Sequence, residues 1–187
     1  MDATDARHRA VITEAWRQYG DPRAVVDVTE LSAMVSTNRV YRLTLDDGTW
    51  VVAKSSNYGS FFLFAEDHDR LHRVKKLLRK GPYEHFLADA FTRDGAPYIF
   101  YDGEMWAIFY HHIEARDRLP PILTGAQVAC LGSELARFHK ACAGIARLIP
   151  PPSKTAKSDA VNLYEMTSAR NAGRNRLTKT TPSPHRR

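Results

Sequence analysis

A polar loop, a predicted β-hairpin and a lysine follow one another between residues 34 and 54, and this segment constrains the fold most strongly. The runs 40–45 and 50–54 are rich in β-branched and aromatic residues, which favour strands. Asp46-Asp47-Gly48-Thr49 lies between them and is typical of a tight hairpin turn. We therefore expect an antiparallel hairpin that begins beside the polar loop and ends at Lys54.

Alternation and helical periodicity elsewhere predict two helices and several further strands in residues 4–110. Asp94-Gly95 and Asp102-Gly103 are typical of two more hairpin turns. Together these patterns predict an α+β fold in which a five-stranded antiparallel sheet packs against a helix. The predicted helices are 4–19 and 61–79, and the remaining predicted strands are 25–29, 86–92, 98–101 and 105–110.

A third helix is predicted after the Pro120-Pro121 break. Its apolar residues step by three and four positions, which places them on one helical face. They are Val128, Leu131, Leu135, Phe138 and Cys142. After Pro150 the composition changes, and we expect a helix within 160–177 and disorder in 178–187. The predicted organisation is an N-terminal helix (1–20), a sheet-containing domain (21–115), a helical region (116–150) and a basic tail (151–187).

The positive charge of the chain is confined to its last part. The whole sequence carries a net charge of +6, and residues 151–187 hold eight Lys/Arg and two Asp/Glu, so residues 1–150 have none. This distribution predicts no nucleic-acid-binding or anionic-membrane surface on the folded part.

The two cysteines predict unpaired thiols. Cys130 and Cys142 are twelve residues apart on one predicted helix, roughly 18 Å along its axis, whereas a disulfide needs Cα atoms within about 7 Å. Free thiols suit a reducing compartment, and we find neither a signal-peptide pattern nor a segment of about 20 apolar residues. We therefore expect a cytoplasmic protein.

Three segments in a characteristic order resemble the kinase-like phosphotransferases, in particular the aminoglycoside phosphotransferase and choline kinase branch. Ser-Thr-Asn-Arg-Val-Tyr-Arg-Leu (36–43) resembles the phosphate loop of that branch. Trp-Val-Val-Ala-Lys (50–54) resembles its nucleotide-lysine strand, and Gly-Ser-Glu-Leu-Ala-Arg-Phe-His (132–139) resembles the helix that opens its second lobe. The resemblance covers residues 34–142, about three-quarters of the chain. It implies a protein-kinase-like N-lobe followed by the first helices of a truncated helical C-lobe.

The resemblance implies that this lobe binds ATP with Mg²⁺. Ser36, Thr37 and Asn38 would supply backbone N–H, hydroxyl and amide donors to the phosphates. Strand alternation puts Val52 and Lys54 on one face, so Val52 would cover the adenine while Lys54 reaches the phosphates. The alternative is an ordinary exposed lysine at a strand end.

A kinase-like lysine needs a carboxylate on the following helix to hold it. At 100° per residue, Asp67 falls within the apolar arc of the 61–79 helix, whereas Glu66 points away from it. The family usually has glutamate, which keeps Glu66 as an alternative. Both acids are alternatively solvated side chains favoured by the helix dipole.

Two other patterns in the 61–79 helix bear on metal binding and on surface charge. His68 and His72 have the i, i+4 spacing of zinc ligands, but no third ligand is evident, so we expect no metal site. The basic residues between Arg70 and Lys80 are typical of the solvated side of an amphipathic helix. A further hypothesis is self-association through the apolar face of the 125–142 helix.

The catalytic residues of the resembled family have no counterpart here. An active member needs an aspartate in a His-Gly-Asp segment and a second aspartate for Mg²⁺. After His139 the only aspartate is Asp159, which no histidine precedes. We therefore expect a first lobe truncated before its chemistry, with an unknown small-molecule acceptor. Three alternatives remain: a kinase completed by another chain or a longer product, a non-catalytic nucleotide- or partner-binding remnant, or a fragment with no stable fold.

Overall fold

The computed structural model describes residues 3–32, 38–79, 81–84, 86–113 and 119–153. They form an α+β structure with a five-stranded antiparallel sheet, a two-stranded hairpin and three α-helices. The chain divides into two compact units, 1–150 and 151–187, and all regular structure described below lies in the first. The elements are α1 (Ala3–Tyr19), β1 (Val25–Glu30), β2 (Arg39–Leu45), β3 (Trp50–Ser56), α2 (Phe61–Leu78), β4 (Thr92–Arg93), β5 (Ala96–Pro97), β6 (Ile99–Tyr101), β7 (Trp106–His111), α3 (Gly125–Ile145) and a short 3-10 helix (Ala146–Leu148).

The large sheet has the strand order β1-β2-β3-β7-β6, and every neighbouring pair is antiparallel. The three predicted Asp-Gly turns are confirmed, since they connect β2 to β3, β4 to β5 and β6 to β7. Gly48, Gly95 and Gly103 have φ values of +79°, +80° and +103°. Glycine adopts this region without the steric cost of a Cβ atom, which explains its place in each turn.

The predicted strand 86–92 is wrong. Only Ala90 makes an isolated bridge to Tyr110, and Thr92 begins a two-residue strand outside the large sheet. Phe86 instead stacks against Phe138 of α3, with ring centroids 4.4 Å apart. The apolar side chains of this run therefore pack against helix α3 and the core. Strand propensity alone does not predict these contacts.

The main core lies between α1 and one face of the sheet. Ile12 and Ala15 of α1 are fully buried there, together with Tyr41 and Leu43 of β2. Trp16 packs edge-on against Phe91 and Phe109, and its indole N–H donates to the carbonyl of Arg23. Because α1 covers this face, only the opposite face of the sheet remains for α2.

The predicted packing of the 61–79 helix on the sheet is confirmed by the ring contacts of α2. Phe64 lies 5.6 Å from Trp106 between ring centroids, and His68 lies 6.3 Å from Tyr110. Both partners are on β7, whose Ala107 and Phe109 belong to the core on the α1 side. The sheet is therefore covered by a helix on each face.

Helix α3 begins at a capping box in which Thr124 and Gln127 satisfy each other's backbone N–H groups. No residue of α3 is fully buried. Phe138 contacts Tyr83 and Phe86, whereas Val128, Leu131 and Leu135 remain 54%, 41% and 42% exposed. Among the described helices, none is long and apolar enough to cross a membrane.

Candidate functional site

Strand alternation in β3 places Lys54 on the α2 side of the sheet. Val51, Ala53 and Ser55 are buried, and Val51 and Ala53 belong to the core under α1. Val52 and Lys54 occupy the opposite face and are half-buried. The period-two geometry of a strand thus separates the structural side chains of β3 from those that face α2.

Lys54 lines a cleft of about 690 Å³ between the end of β3 and α2. Its walls come from the start of β2, the β3–α2 connection, one face of α2, and Ile149. The lining residues are Asn38, Lys54, Tyr58, Gly59, Ser60, Leu63, Phe64, Asp67, His68, Arg70, Leu71, Val74 and Ile149. A cleft of this size is in the range of small-molecule sites.

The ammonium of Lys54 is held by an imidazole and an aromatic ring. Its Nζ lies 3.4 Å from Nε2 of His68 and 5.3 Å from the centroid of the Phe64 ring. Within the described part of the chain, no carboxylate oxygen approaches this Nζ to within 4 Å. Burial lowers the pKa of Lys54, and the negative charge of Asp67 opposes this shift.

His68 is one of the few buried polar residues, at 4% exposure. Its Nδ1 lies 2.6 Å from the carbonyl oxygen of Phe64, one helical turn earlier, and the two rings are 4.0 Å apart. Burial lowers the pKa of His68, and the nearby charge of Lys54 lowers it further. The imidazole is therefore a neutral group in a fixed orientation.

Of the two predicted carboxylates, Asp67 lines the cleft. It is exposed and acts on Lys54 through its charge. Glu66 is half-buried and is absent from the cleft lining. This difference follows the helical wheel, on which Asp67 falls in the same arc as Phe64, Leu71 and Val74, which also line the cleft.

The predicted phosphate loop is described only at its end. Asn38 is half-buried and lines the cleft, whereas Ser36 and Thr37 lie outside the described residues. Val52 shares the face of Lys54 but is not among the lining residues. Just after β7, the ring of His112 stacks on that of Trp50, with centroids 4.4 Å apart.

Sequence reasoning missed three parts of the cleft. One is His68, whose spacing to His72 points only to zinc ligation, and another is Arg70, which the charge pattern places on a solvated helix face. The third is the Tyr58-Gly59-Ser60 turn, whose Gly59 has a φ of +87° and leads into the N-terminus of α2. The available signal was Gly-Ser directly before an apolar periodic run, which is typical of a helix start.

In the described ranges, no group of three or more His, Cys, Asp or Glu side chains is arranged to hold a metal ion. His68 and His72 both line a small cavity with Lys75 and Tyr110. His72 also borders a surface depression with Lys76 and Asp89.

No protein-family model matches this chain, and neither the curated proteins nor the solved structures contain a significant match. What the cleft binds must therefore be inferred from its own residues. Lys54, Arg70 and Asn38 offer donors, and Asp67 is the one acidic residue among the described residues that line the cleft. The α2 N-terminus, which has no acidic residue in its first turn, adds a partial positive charge. This combination suits an anionic ligand.

Proposed function

We propose that this chain is the ATP-binding lobe of a small-molecule kinase of the aminoglycoside phosphotransferase type. The observation that carries the proposal is the position of Lys54, half-buried in a cleft of about 690 Å³ that Asn38 and Asp67 also line. A desolvated ammonium attracts a phosphate more strongly than a solvated one, because water screens the charge less.

The order of elements around this lysine supports the same proposal. In the sequence a polar segment precedes β2, and in the structure the β2–β3 hairpin leads to Lys54 and is followed by a helix that packs on the same face of the sheet. Phosphoryl-transfer proteins need donors and a fixed cation around the phosphates, because their catalysis relies on positioning and electrostatics. In this proposal Lys54 binds the phosphates and Asn38 contributes amide donors.

Mg²⁺ would enter this cleft with the nucleotide. The ion takes an octahedral set of oxygen ligands, often with one or two carboxylates. Among the described lining residues there is one carboxylate, that of Asp67, whose charge acts on Lys54. The described part of the cleft therefore does not fit a resident Mg²⁺ held by the protein.

A non-catalytic role is the second candidate. The 187 residues contain no His-Gly-Asp segment, and Asp159 is the only aspartate after His139. The exposed side chains of Val128, Leu131 and Leu135 favour a role in binding a partner. In this candidate the chain binds nucleotide or a partner without transferring phosphate.

Calorimetric titration with ATP tests the proposal directly. Lys54→Ala should weaken ATP binding by about tenfold or more, equivalent to about 1.4 kcal/mol, while the melting temperature of the free protein changes little. Lys140→Ala removes the same charge from the exposed surface of α3 and is the matched control. Adenosine should bind more weakly than ATP to the unchanged protein. Equal ATP affinity in the two variants would contradict the nucleotide site.

A further inference from the structure

We propose that His68 is a positioning residue for Lys54, whose ammonium it holds in the cleft through a neutral imidazole acceptor. The role of this pair in binding an anion rests on the proposed function. The pairing itself rests on geometry alone. The ammonium of Lys54 and Nε2 of His68 are 3.4 Å apart, and the two residues come from β3 and α2.

The tautomer of His68 follows from its partner on the other side of the ring. A carbonyl oxygen only accepts hydrogen bonds, so the 2.6 Å contact with Phe64 requires the proton on Nδ1. A neutral imidazole then has a bare lone pair on Nε2. That lone pair faces the Lys54 ammonium, which has three donors and no acceptor.

The surroundings of His68 restrict its ring to this role. Phe64 and Tyr110 flank the imidazole with ring centroids at 4.0 and 6.3 Å. The charges that act on it are those of Lys54 on β3 and Asp67 on α2. The Tyr110 phenol of β7 and, on α2, His72 and Lys75 line a small cavity with it. A protonated His68 would lose its acceptor and repel Lys54, which agrees with the direction of its pKa shift.

A neutral acceptor and a carboxylate differ in how much of the positive charge of Lys54 they leave available to an anion. A carboxylate in contact with Lys54 would cancel most of its charge at short range. His68 orients the ammonium and leaves its charge in place, while Asp67 acts from beyond 4 Å. The pair therefore presents a full positive charge to a phosphate, and His68 supports anion affinity without touching the anion.

The pairing is tested without any ligand by long-range ¹H–¹⁵N correlation spectra of the full chain. We expect His68 to be the Nδ1–H tautomer at pH 7.5, with an Nε2 resonance that shifts in Lys54→Met. The exposed His139 is the internal reference and should not respond. An Nε2–H tautomer, or an Nε2 resonance that ignores Lys54→Met, would overturn the pairing.

The positioning role is tested by ATP titration of two folded variants. His68→Gln keeps an oxygen acceptor and should retain ATP affinity within about threefold, whereas His68→Leu should lose about tenfold, or about 1.4 kcal/mol. If wild type fails to bind ATP while the spectra show the pairing, the nucleotide proposal falls and the pairing stands. If wild type binds ATP and His68→Leu binds equally well, positioning is refuted. Should His68→Leu not fold, a loss of affinity in His68→Gln equal to that of Lys54→Ala refutes it instead.

Discussion

The hydroxyl of Tyr41 donates a 3.0 Å hydrogen bond to the carboxylate of Asp5, in the seam between β2 and α1. Tyr41 is fully buried, and Asp5 also pairs with Arg9 at 2.8 Å. Burial opposes ionisation of Asp5, but the hydrogen bonds from Arg9 and Tyr41 prevail and leave the pKa of Asp5 below its ordinary value. The same burial raises the pKa of Tyr41 to about 12. This network attaches α1 to the sheet through charge as well as apolar packing.

Tyr41→Phe should lower the free energy of unfolding by about 1–3 kcal/mol, because it removes a hydrogen bond to a buried ionised carboxylate. Urea denaturation monitored by circular dichroism measures the change. Tyr101→Phe is the control, since the Tyr101 hydroxyl bonds the carbonyl of Gly103 at the surface, and its loss should cost under about 0.5 kcal/mol. Equal losses in the two variants would contradict a special role for the Asp5 network.

Stability should fall between neutral and mildly acidic pH because of His8. Burial lowers the pKa of His8 from its ordinary 6.5, and the charge of Arg39 lowers it further. Below pH 6.5 His8 is therefore protonated in the unfolded chain, whereas in the folded protein it stays neutral until the pH reaches its lower folded-state pKa. Across that window the free energy of unfolding should fall by up to about 1.4 kcal/mol per pH unit for this one group.

Urea denaturation at a series of pH values from 7.5 to 5 checks this dependence on His8. His8→Gln should reduce the slope over this range, since glutamine does not titrate, whereas the remaining slope comes from other histidines with lowered pKa values such as His68. His139→Gln, on the exposed surface of α3, should leave the slope unchanged. An unaltered slope in His8→Gln would show that other groups control acid stability.

Purified chain should not transfer phosphate above the uncatalysed background. Lys54 and Asn38 bind ground and transition states alike, and such uniform binding does not accelerate the chemical step. We expect no acceptor-dependent ADP release with Mg²⁺-ATP and a panel of aminoglycosides, choline, homoserine and sugars. Turnover that vanishes with Lys54→Ala would contradict this prediction and require a catalytic carboxylate that we have not recognised.

The apolar face of α3 should promote association of the chain. Leu131 and Leu135 are 41% and 42% exposed on one helical face, and covering such a surface is favourable. Sedimentation velocity should therefore show a mass that rises with concentration. The double variant Leu131→Lys/Leu135→Lys should remain monomeric. Ser133→Lys, at an exposed position between the two leucines, is the single-charge control and should still associate.

Local physics accounts for the parts of the fold that the sequence predicted. Helix α1, helix α2 and the hairpin of β2 and β3 were predicted to within two residues at each boundary, because side-chain periodicity and Asp-Gly turns act over a few residues. The alternation of β3 also predicted that Val52 and Lys54 would share a face. These features need no knowledge of distant partners.

Long-range contacts decided what the sequence left open. Residues 86–92 have strand propensity but do not form the predicted strand, because long-range contacts hold them elsewhere. One such contact joins Phe86 to Phe138, 52 positions further along the chain. The most informative case is His68, for which the sequence pattern predicted neither a metal site nor any other role. Its actual partner is Lys54 on another element, and its tautomer depends on the carbonyl of Phe64. Sequence alone determined helices α1 and α2, the β2–β3 hairpin and the face of β3 that carries the lysine. Only the tertiary structure decided which group holds that lysine, because burial and partner geometry arise when α2 packs on the sheet.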